Sequence, residues 1–547
     1  MASRKSTTKT ASKKKTPSAS PARKKATAAT KKSTAKVVKT TAVKTGRTPS
    51  RGAKTARRRS VSNKDVRLTV RHYCQGIGDC HLLRFKKDDG SFFNMLIDCG
   101  VHSSVLKGND TIRKIAENIK SEMDERNEKI DILVATHEHW DHLSGFLTAK
   151  DVFEGVGIGE LWMGWTENGK DKQARTLDKY KDKDIAALQG ASRHLDHAIG
   201  LSPYLQGVQV GLQAVTGFYF GAAGDRVRSA RDAAVELANN KVRYLEPASA
   251  PLSIPGLSDL RIYVLGPPRD EASIRVTDRT SEMYGLSMSR SLSMSTSLLN
   301  AVANYDGLSE QAEDDVIDPF DRNLGTPLSD VVAATDVANL PSSTETERQF
   351  KELSGFIARH YSPQDQAWRR IDMDWLGISS DLAMQLDNRT NNTSLVLAFE
   401  FIESGRVFLF TADAQVGSWL SWQDLSWTID GKTVTGPDLL RRTVYYKVGH
   451  HGSQNATLKA KGLELMNSPD LASFVPTNEV DAKKVRWGQM PFKDIMSDLT
   501  ERAAGRVVRA DDKWVTTGQV PAHLATPSGA ILATRAIAEL CVEFDLA

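Results

Sequence analysis

The stretch Thr-His-Glu-His-Trp-Asp-His at residues 136–142 directly follows the apolar run Ile-Asp-Ile-Leu-Val-Ala at residues 130–135. It holds three of the 12 histidines of the chain. On an extended loop, the alternate residues His137 and His139 point to the same side and can hold one cation. Asp141 and His142 can turn toward a second cation. Imidazole and carboxylate donors suit Zn²⁺, with Mn²⁺ and iron as competitors. The competing interpretation is a polar helix start in which the histidines are incidental.

Short apolar or alternating runs on both sides of this stretch predict strands. The runs are at residues 66–70, 80–85, 92–97, 130–135, 161–163, 261–265, 394–402, 406–410 and 443–448. Between the third and fourth runs, Ile112, Ile115, Ile119 and Met123 recur at helical spacing and predict an amphipathic helix, which Asn109 or Asp110 would cap. Strands that alternate with helices predict a layered α/β fold.

Three further motifs follow strands in a recognisable order. Asp98 ends the run Leu-Ile-Asp-Cys-Gly, Asp413 lies in Thr-Ala-Asp-Ala, and His450 and His451 lie in Lys-Val-Gly-His-His-Gly-Ser. With His-x-His-x-Asp-His, this order resembles the metallo-β-lactamase fold hydrolases. Gln-Gly-Ile-Gly-Asp at residues 75–79, the His-His-Gly-Ser run and Asn-Asn-Thr-Ser at 391–394 are similar to the hydrolase domain of ComEC-type DNA-uptake competence proteins. The resemblance covers roughly residues 65–457.

The resemblance implies an α/β fold of four layers, the αββα metallo-β-lactamase sandwich, and hydrolysis by a metal-activated hydroxide. It implies one or two Zn²⁺ ions as cofactor, with Mn²⁺ as the alternative. Asp141 and Asp413 would be catalytic, with Asp413 bridging the ions, and Asp98 would orient the metal loop from behind. The metal ligands that it implies are His137, His139, Asp141, His142, Asp413 and His450.

This sequence departs from the family at one position. Many members have a third histidine of the first metal site just before the strand that here begins near Ser394, but residues 387–392 contain none. Asn391 or Asp387 would supply an oxygen ligand there, or one metal site would be weak. The last ligand is also ambiguous, and we favour His450 over His451.

The N-terminal residues differ in composition from all others. Residues 1–60 hold 20 of the 73 Lys and Arg residues and none of the 67 Asp and Glu residues, so this segment carries +20 and the remainder −14. We expect it to be disordered and to bind nucleic acid without sequence preference. A solubilising tail and a transit peptide are the alternatives. The contacting residues that we expect are Lys13, Lys14, Lys15, Lys24, Lys25, Lys31, Lys32, Arg57, Arg58 and Arg59.

Three segments follow from these patterns. Residues 1–62 form the basic tail, 63–460 the hydrolase domain with an irregular insertion at about 269–365, and 461–547 a C-terminal extension without assigned role. Only four cysteines occur and none forms a CxxC pair, which argues against cysteine-bound zinc and favours a reducing compartment. We expect no membrane-spanning helix and no export signal, hence a cytoplasmic protein, associated with the nucleoid if the tail binds DNA. The oligomeric state stays open.

Three functions are compatible with these features. The first is a phosphodiesterase or nuclease that acts on nucleic acid, because the ComEC-type resemblance and the basic tail favour it independently. The second is a small-molecule hydrolase of a lactone, thioester or phosphoester, with the tail serving localisation only. The third is a catalytically inactive DNA-binding protein, which the intact histidine cluster disfavours.

Overall fold

The computed structural model describes residues 66–197, 203–219, 226–276, 344–361, 363, 366, 374–484, 489–537 and 539–547. The N-terminal tail, with all ten residues expected to contact nucleic acid from Lys13 to Arg59, lies outside these ranges. Most of the insertion expected at residues 269–365 lies outside them as well. Its described part is helical at Glu271–Arg275 and at Glu345–His360, where the sequence predicted irregular structure.

The described residues contain sixteen strands, and they include every strand that the sequence predicts. The strands are β1 (Leu68–Tyr73), β2 (Cys80–Lys86), β3 (Phe92–Cys99), β4 (Ile130–Ala135), β5 (Ile158–Gly164), β6 (Val242–Leu245), β7 (Leu260–Gly266), β8 (Val396–Phe401), β9 (Arg406–Phe410), β10 (Ser426–Ile429), β11 (Lys432–Thr435), β12 (Thr443–Lys447), β13 (Ala472–Val475), β14 (Val507–Arg509), β15 (Ile531–Ile537) and β16 (Cys541–Leu546).

The helices follow the strands in alternation along most of the chain. They are α1 (Gly108–Arg126), α2 (Trp140–Thr148), α3 (Lys150–Phe153), α4 (Lys172–His197), α5 (Pro203–Tyr219), α6 (Arg226–Leu237), α7 (Glu271–Arg275), α8 (Glu345–His360), α9 (Ile378–Asn392), α10 (Val416–Ser421), α11 (Gly436–Arg441), α12 (Glu479–Lys484), α13 (Lys493–Arg502) and α14 (Lys513–Thr517). The predicted amphipathic helix is α1, which buries its four periodic apolar residues. It begins at Gly108, so Asn109 and Asp110 lie in its first turn and neither caps it.

The strands form two mixed sheets and one short hairpin. The first sheet has eight strands in the order β15-β16-β1-β2-β3-β4-β5-β6, and the second has six in the order β14-β13-β12-β9-β8-β7. In the first sheet β3 to β6 are parallel and the others antiparallel, whereas in the second β9, β12, β13 and β14 are parallel. The hairpin pairs β10 with β11.

Three large apolar clusters hold these elements together. Because successive side chains of a strand point to opposite faces of its sheet, neighbouring strand residues belong to different clusters. One cluster contains side chains of both sheets, such as Val134 of β4 and Phe410 of β9, so the two sheets face each other. A second joins the first sheet to α1, α2, α4, α5, α6 and α9. A third joins the second sheet to α10, α11 and α13. The protein is therefore an α/β protein with two mixed sheets.

The C-terminal residues supply strands to both sheets, a role that the sequence did not reveal. β16 pairs antiparallel with β1 over the six residue pairs from Leu68↔Leu546 to Tyr73↔Cys541. β13 and β14 extend the second sheet beyond β12. The segment at 461–547, which the sequence analysis left outside the hydrolase domain, thus contributes strands to both sheets.

Candidate metal centre

The histidine stretch lies where β4 ends and α2 begins, at the carboxyl edge of the parallel strands. His139 is the extended residue just before α2 (φ −116°, ψ 151°), and Asp141 and His142 lie in the first turn of that helix. Asp413 follows β9, and His450 and His451 follow β12 in a short 3-10 turn. Because the ends of neighbouring parallel strands meet at one edge, residues far apart in sequence converge here.

Two groups of potential ligand atoms that share Asp413 meet at this edge, and a third group, Asp79 with Asp98, adjoins them through His142. The first group is His137, His139 and Asp413, and the second is Asp141, His142, Asp413 and His451. Within each group the ligand atoms lie within 4.8 Å of one another, and every one of these residues is buried. Asp413 belongs to both groups. A carboxylate shared between two such groups can contact two adjacent cations.

Buried polar atoms in this cluster make no hydrogen bond to the described residues. They include Nε2 of His137, Oδ1 of Asp141 and Oδ1 of Asn391. A buried polar atom without a partner is costly, and cations held by the two groups would satisfy the atoms of His137 and Asp141. Imidazole nitrogens with carboxylate oxygens are donors that suit Zn²⁺ and also bind Mn²⁺. The residues therefore fit a divalent metal ion.

Two histidines of the site are held neutral, as metal ligands must be. Burial, together with the nearby His142, lowers the pKa of His137 to about 3. Burial and the neighbouring His137 and His142 lower the pKa of His139 well below its ordinary value. Burial alone would raise the pKa of Asp413, but His142 and His451 hold it well below the usual range, so this carboxylate is ionised.

Asp98 contacts the ring nitrogen of His142 that faces away from Asp413. Its Oδ2 lies 2.8 Å from Nδ1 of His142 and accepts a hydrogen bond of 2.7 Å from the Thr136 hydroxyl. Its Oδ1 accepts a hydrogen bond of 2.9 Å from the Thr136 amide. Nε2 of His142 then lies 3.2 Å from Oδ2 of Asp413. A carboxylate on the far nitrogen fixes the ring orientation of a metal-binding histidine.

Of the two adjacent histidines, the geometry groups His451 and not His450 with Asp141, His142 and Asp413, whereas the sequence analysis favoured His450. Nε2 of His451 lies 2.9 Å from Oδ2 of Asp141, and its Nδ1 donates to the Pro476 carbonyl at 2.8 Å. The His450 ring is turned away, because its Nδ1 lies 3.0 Å from Nε2 of Gln415 and 2.7 Å from the Ser453 hydroxyl. The His450 backbone N–H donates to Oδ1 of Asp413 at 3.0 Å. Two adjacent histidines in tight left-handed turns point in different directions, and this is not visible in the sequence.

At the position of the missing third histidine, α9 brings two oxygen-bearing side chains to the site. Asn391 is fully buried, and its Nδ2 donates to Oδ2 of Asp387 at 3.3 Å, which leaves its Oδ1 directed elsewhere. Burial, with the negative charges of Asp141 and Asp413, raises the pKa of Asp387 to about 8. The neighbouring Asn392 is structural, because its side chain donates to the carbonyls of Ile274 and Val276.

A buried ion pair beneath the site was not predicted from the sequence. Lys447 Nζ donates to the carboxylate of Asp79 and, at 3.2 Å, to the Ala412 carbonyl beside Asp413. The Asp79 amide donates to the Asp141 carbonyl at 3.0 Å, and its own carbonyl accepts from Gly100 at 2.9 Å. The motifs that contain Asp79 and Lys447 were recognised, but a pairing between residues 368 positions apart has no local signal.

Close backbone packing explains the glycines of two of these motifs. A Cβ on Gly100 would lie 2.2 Å from the Asp141 carbonyl carbon, and one on Gly78 would lie 2.4 Å from the Gly100 carbonyl oxygen. Gly78 also has φ +139°, which residues with a side chain rarely adopt. The turn at residues 75–79 and the strand end at Gly100 thus contact the backbone of Asp141. Asp141 belongs to the candidate metal loop, residues 136–142.

Three further buried histidines surround the centre and were also missed. Burial lowers the pKa of His102 to about 4, although the negative charge of Asp141 acts to raise it. His72 and His81 lie between the sheets, with their Nδ1 atoms 2.9 Å apart, and Nε2 of His72 lies 2.6 Å from the Tyr445 hydroxyl. Only the alternation of β1 and β2, which turns both rings inward, could have indicated them.

Comparison of the chain with known protein families, with curated proteins and with solved structures finds no significant match. Among the described residues, no helix combines the length and apolar character needed to cross a lipid bilayer.

Proposed function

We propose that this chain is a metal-dependent hydrolase of the four-layer αββα metallo-β-lactamase fold. The observation that carries the proposal is Asp413, whose carboxylate belongs to a group with His137 and His139 and to another with Asp141, His142 and His451. The sequence resemblance supports it independently, because the motifs occur in the family's order. The apolar cluster between the sheets, with helices packed on both outer faces, is what that fold requires.

Each residue of the site has a distinct task in this proposal. His137, His139 and Asp413 would hold one cation, and Asp141, His142, His451 and Asp413 a second, with Zn²⁺ preferred and Mn²⁺ as the alternative. A cation held by these residues would supply Lewis-acid activation of water and of the bond to be cleaved. His137 and His139, being neutral, present lone pairs without first losing a proton. Asp98 keeps Nε2 of His142 directed toward Asp413.

The substrate class that we propose is a phosphodiester of nucleic acid. Two independent features support it: the resemblance of the motifs to the ComEC-type hydrolase domain, and the +20 charge of residues 1–60. A basic segment raises the local concentration of nucleic acid by releasing counterions from the phosphates. The body of the chain, at −14, would repel the same substrate unless the cations and the tail compensate.

The test uses the full chain, stripped of metal and reconstituted with Zn²⁺ or Mn²⁺. We expect hydrolysis of bis(p-nitrophenyl) phosphate and of linear DNA, and loss of both activities in His451→Ala. His450→Ala is the matched control and is expected to retain bound metal, because its ring bonds Gln415 and Ser453. Turnover of p-nitrophenyl acetate or a lactone without any phosphodiester cleavage would overturn the substrate class in favour of a small-molecule hydrolase. Absence of bound metal would overturn the proposal as a whole.

A further inference from the structure

A cavity of about 230 Å³ lies beside the metal loop, enclosed by α4, α7, α9 and the 3-10 turn after β5. We call it the α4–α9 cavity. Its volume is below the roughly 300–1,000 Å³ of pockets for drug-sized ligands, so it admits one ring system and not a chain of nucleotides. None of the proposed metal ligands lines it. It is therefore a separate space next to the metal centre.

The cavity touches the metal loop and the helix that carries Asn391. Glu138, which stands between His137 and His139 in the chain, forms part of its wall. Lys181 lines it as well, and the positive charge of Lys181 acts on the ring of His139. On α9, Leu386 and Arg389 line the cavity, and Asn391 follows two residues after Arg389. A group bound here lies within electrostatic reach of His139, as Lys181 does.

Two ion pairs join charged side chains of the wall, and its other charged groups pair with residues outside it. Glu138 accepts a hydrogen bond of 2.5 Å from Lys181. Asp184 accepts one of 3.0 Å from Arg389. The lining contains four acidic and three basic side chains. Because the two signs are mixed, the wall favours neither an anionic nor a cationic ligand. A ligand without net charge that carries both hydrogen-bond donors and acceptors suits such a wall.

The remaining wall offers apolar contacts and a stacking surface. Leu177, Ile274 and Leu386 line the cavity, and the last two are 2% exposed. Tyr180 is 45% exposed at the rim, with the guanidinium carbon of Arg275 5.5 Å from its ring centre. Aromatic rings and arginine guanidinium planes are the surfaces on which nucleobases stack in proteins that bind single strands.

We infer that the α4–α9 cavity binds a nucleobase of the substrate, next to the phosphodiester that the metal centre cleaves. The inference rests on the proposed function for the identity of that neighbouring phosphodiester. A heteroaromatic base is uncharged, carries donors and acceptors on one edge, and has two apolar faces, as the wall requires. The cavity gives a single-stranded or unpaired nucleotide a place beside the cations, because a base inside a duplex cannot enter it.

The experiment measures binding of adenosine to metal-stripped full-length protein by ligand-observed NMR and calorimetry, with inorganic phosphate as the anionic probe and toluene as the apolar probe. We expect adenosine to bind, and toluene and phosphate to bind more weakly. Tyr180→Ala should lower the affinity for adenosine by at least about fivefold, since stacking of a base on one aromatic ring contributes roughly 1–3 kcal/mol. Leu177→Trp, which fills the cavity, should abolish binding. Phe350→Ala is the control, since Phe350 is 44% exposed on α8 and does not line the cavity.

The outcomes separate this inference from the proposed function. If the metal-loaded protein cleaves phosphodiesters but adenosine does not bind, or binds equally to Tyr180→Ala and Leu177→Trp, the inference is wrong and the hydrolase remains. If adenosine binds as expected and the protein holds no metal, the proposed function is wrong and the base site remains. Tighter binding of phosphate or toluene than of adenosine would also overturn the inference.

Discussion

The ammonium of Lys447 and the carboxylate of Asp79 form an ion pair in which both side chains are 1% exposed. Lys447 ends β12 in the second sheet, and Asp79 precedes β2 in the first. The lysine also holds the carbonyl beside Asp413, and the Asp79 backbone holds that of Asp141. One ion pair thus connects the two sheets at the point where the ligands of the second cation site converge.

Removing one partner of this pair should be more damaging than removing both. We expect Asp79→Asn and Lys447→Met each to lower the free energy of unfolding by about 3–5 kcal/mol, because each leaves a buried charge unpaired. The double variant should be more stable than either single variant. Urea denaturation of the three variants checks this. A double variant whose loss equals the sum of the single losses would mean that the two side chains do not act as a pair.

The close contact between Gly100 and the metal loop predicts a second effect. In Gly100→Ala the added Cβ would lie 2.2 Å from the Asp141 carbonyl carbon, so the backbone that carries Asp141 must shift. We expect about 10- to 100-fold weaker metal binding, as for other changes that disturb ligand orientation. Gly169→Ala is the matched control, because its Cβ would meet nothing within 4 Å. Equal metal affinity of the two variants, measured by competition with a chelator, would contradict this account.

Much of this architecture follows from the sequence, because short-range patterns encode it. The run at 130–135 is β4 residue for residue, and the histidines after it do converge on Asp413. Other features depend on long-range packing. The choice between His450 and His451 depends on the left-handed backbone conformation of both residues. The pairing of β16 with β1 joins the first and last strands of the described residues. No local pattern carries that information.

The oxygen donors on α9 predict that the two cation sites differ in affinity. The first group has two histidines and Asp413, and Asn391 offers only a neutral amide oxygen in place of a third imidazole. We expect one cation to bind more weakly than the other, and Asn391→His to tighten the weaker site. Asn388→His, one turn away from the expected ligand position, is the control. Calorimetric titration with Zn²⁺ checks this, and two equally tight sites in the unaltered protein would refute it.

The basic segment at residues 1–60 predicts a strong salt dependence of DNA binding. If about 6–10 of its 20 positive charges contact phosphates, affinity should fall about 10³- to 10⁵-fold between 50 and 200 mM salt. Residues 61–547 alone should bind long DNA poorly but hydrolyse a small phosphodiester at a similar rate. Fluorescence anisotropy with and without the segment measures the slope. The same affinity and slope in both proteins would assign the segment to solubility or targeting.

The most direct test of the central claim is the metal content of the His137→Ala/His139→Ala double variant, measured by elemental analysis after gel filtration. His523→Ala, at an exposed position, controls for the loss of an unrelated histidine. We predict that the double variant stays folded by circular dichroism, loses the first cation and no longer hydrolyses bis(p-nitrophenyl) phosphate, while His523→Ala keeps both metal and activity. A folded double variant with the metal content of the unaltered protein would contradict the assignment of this cluster as a metal centre.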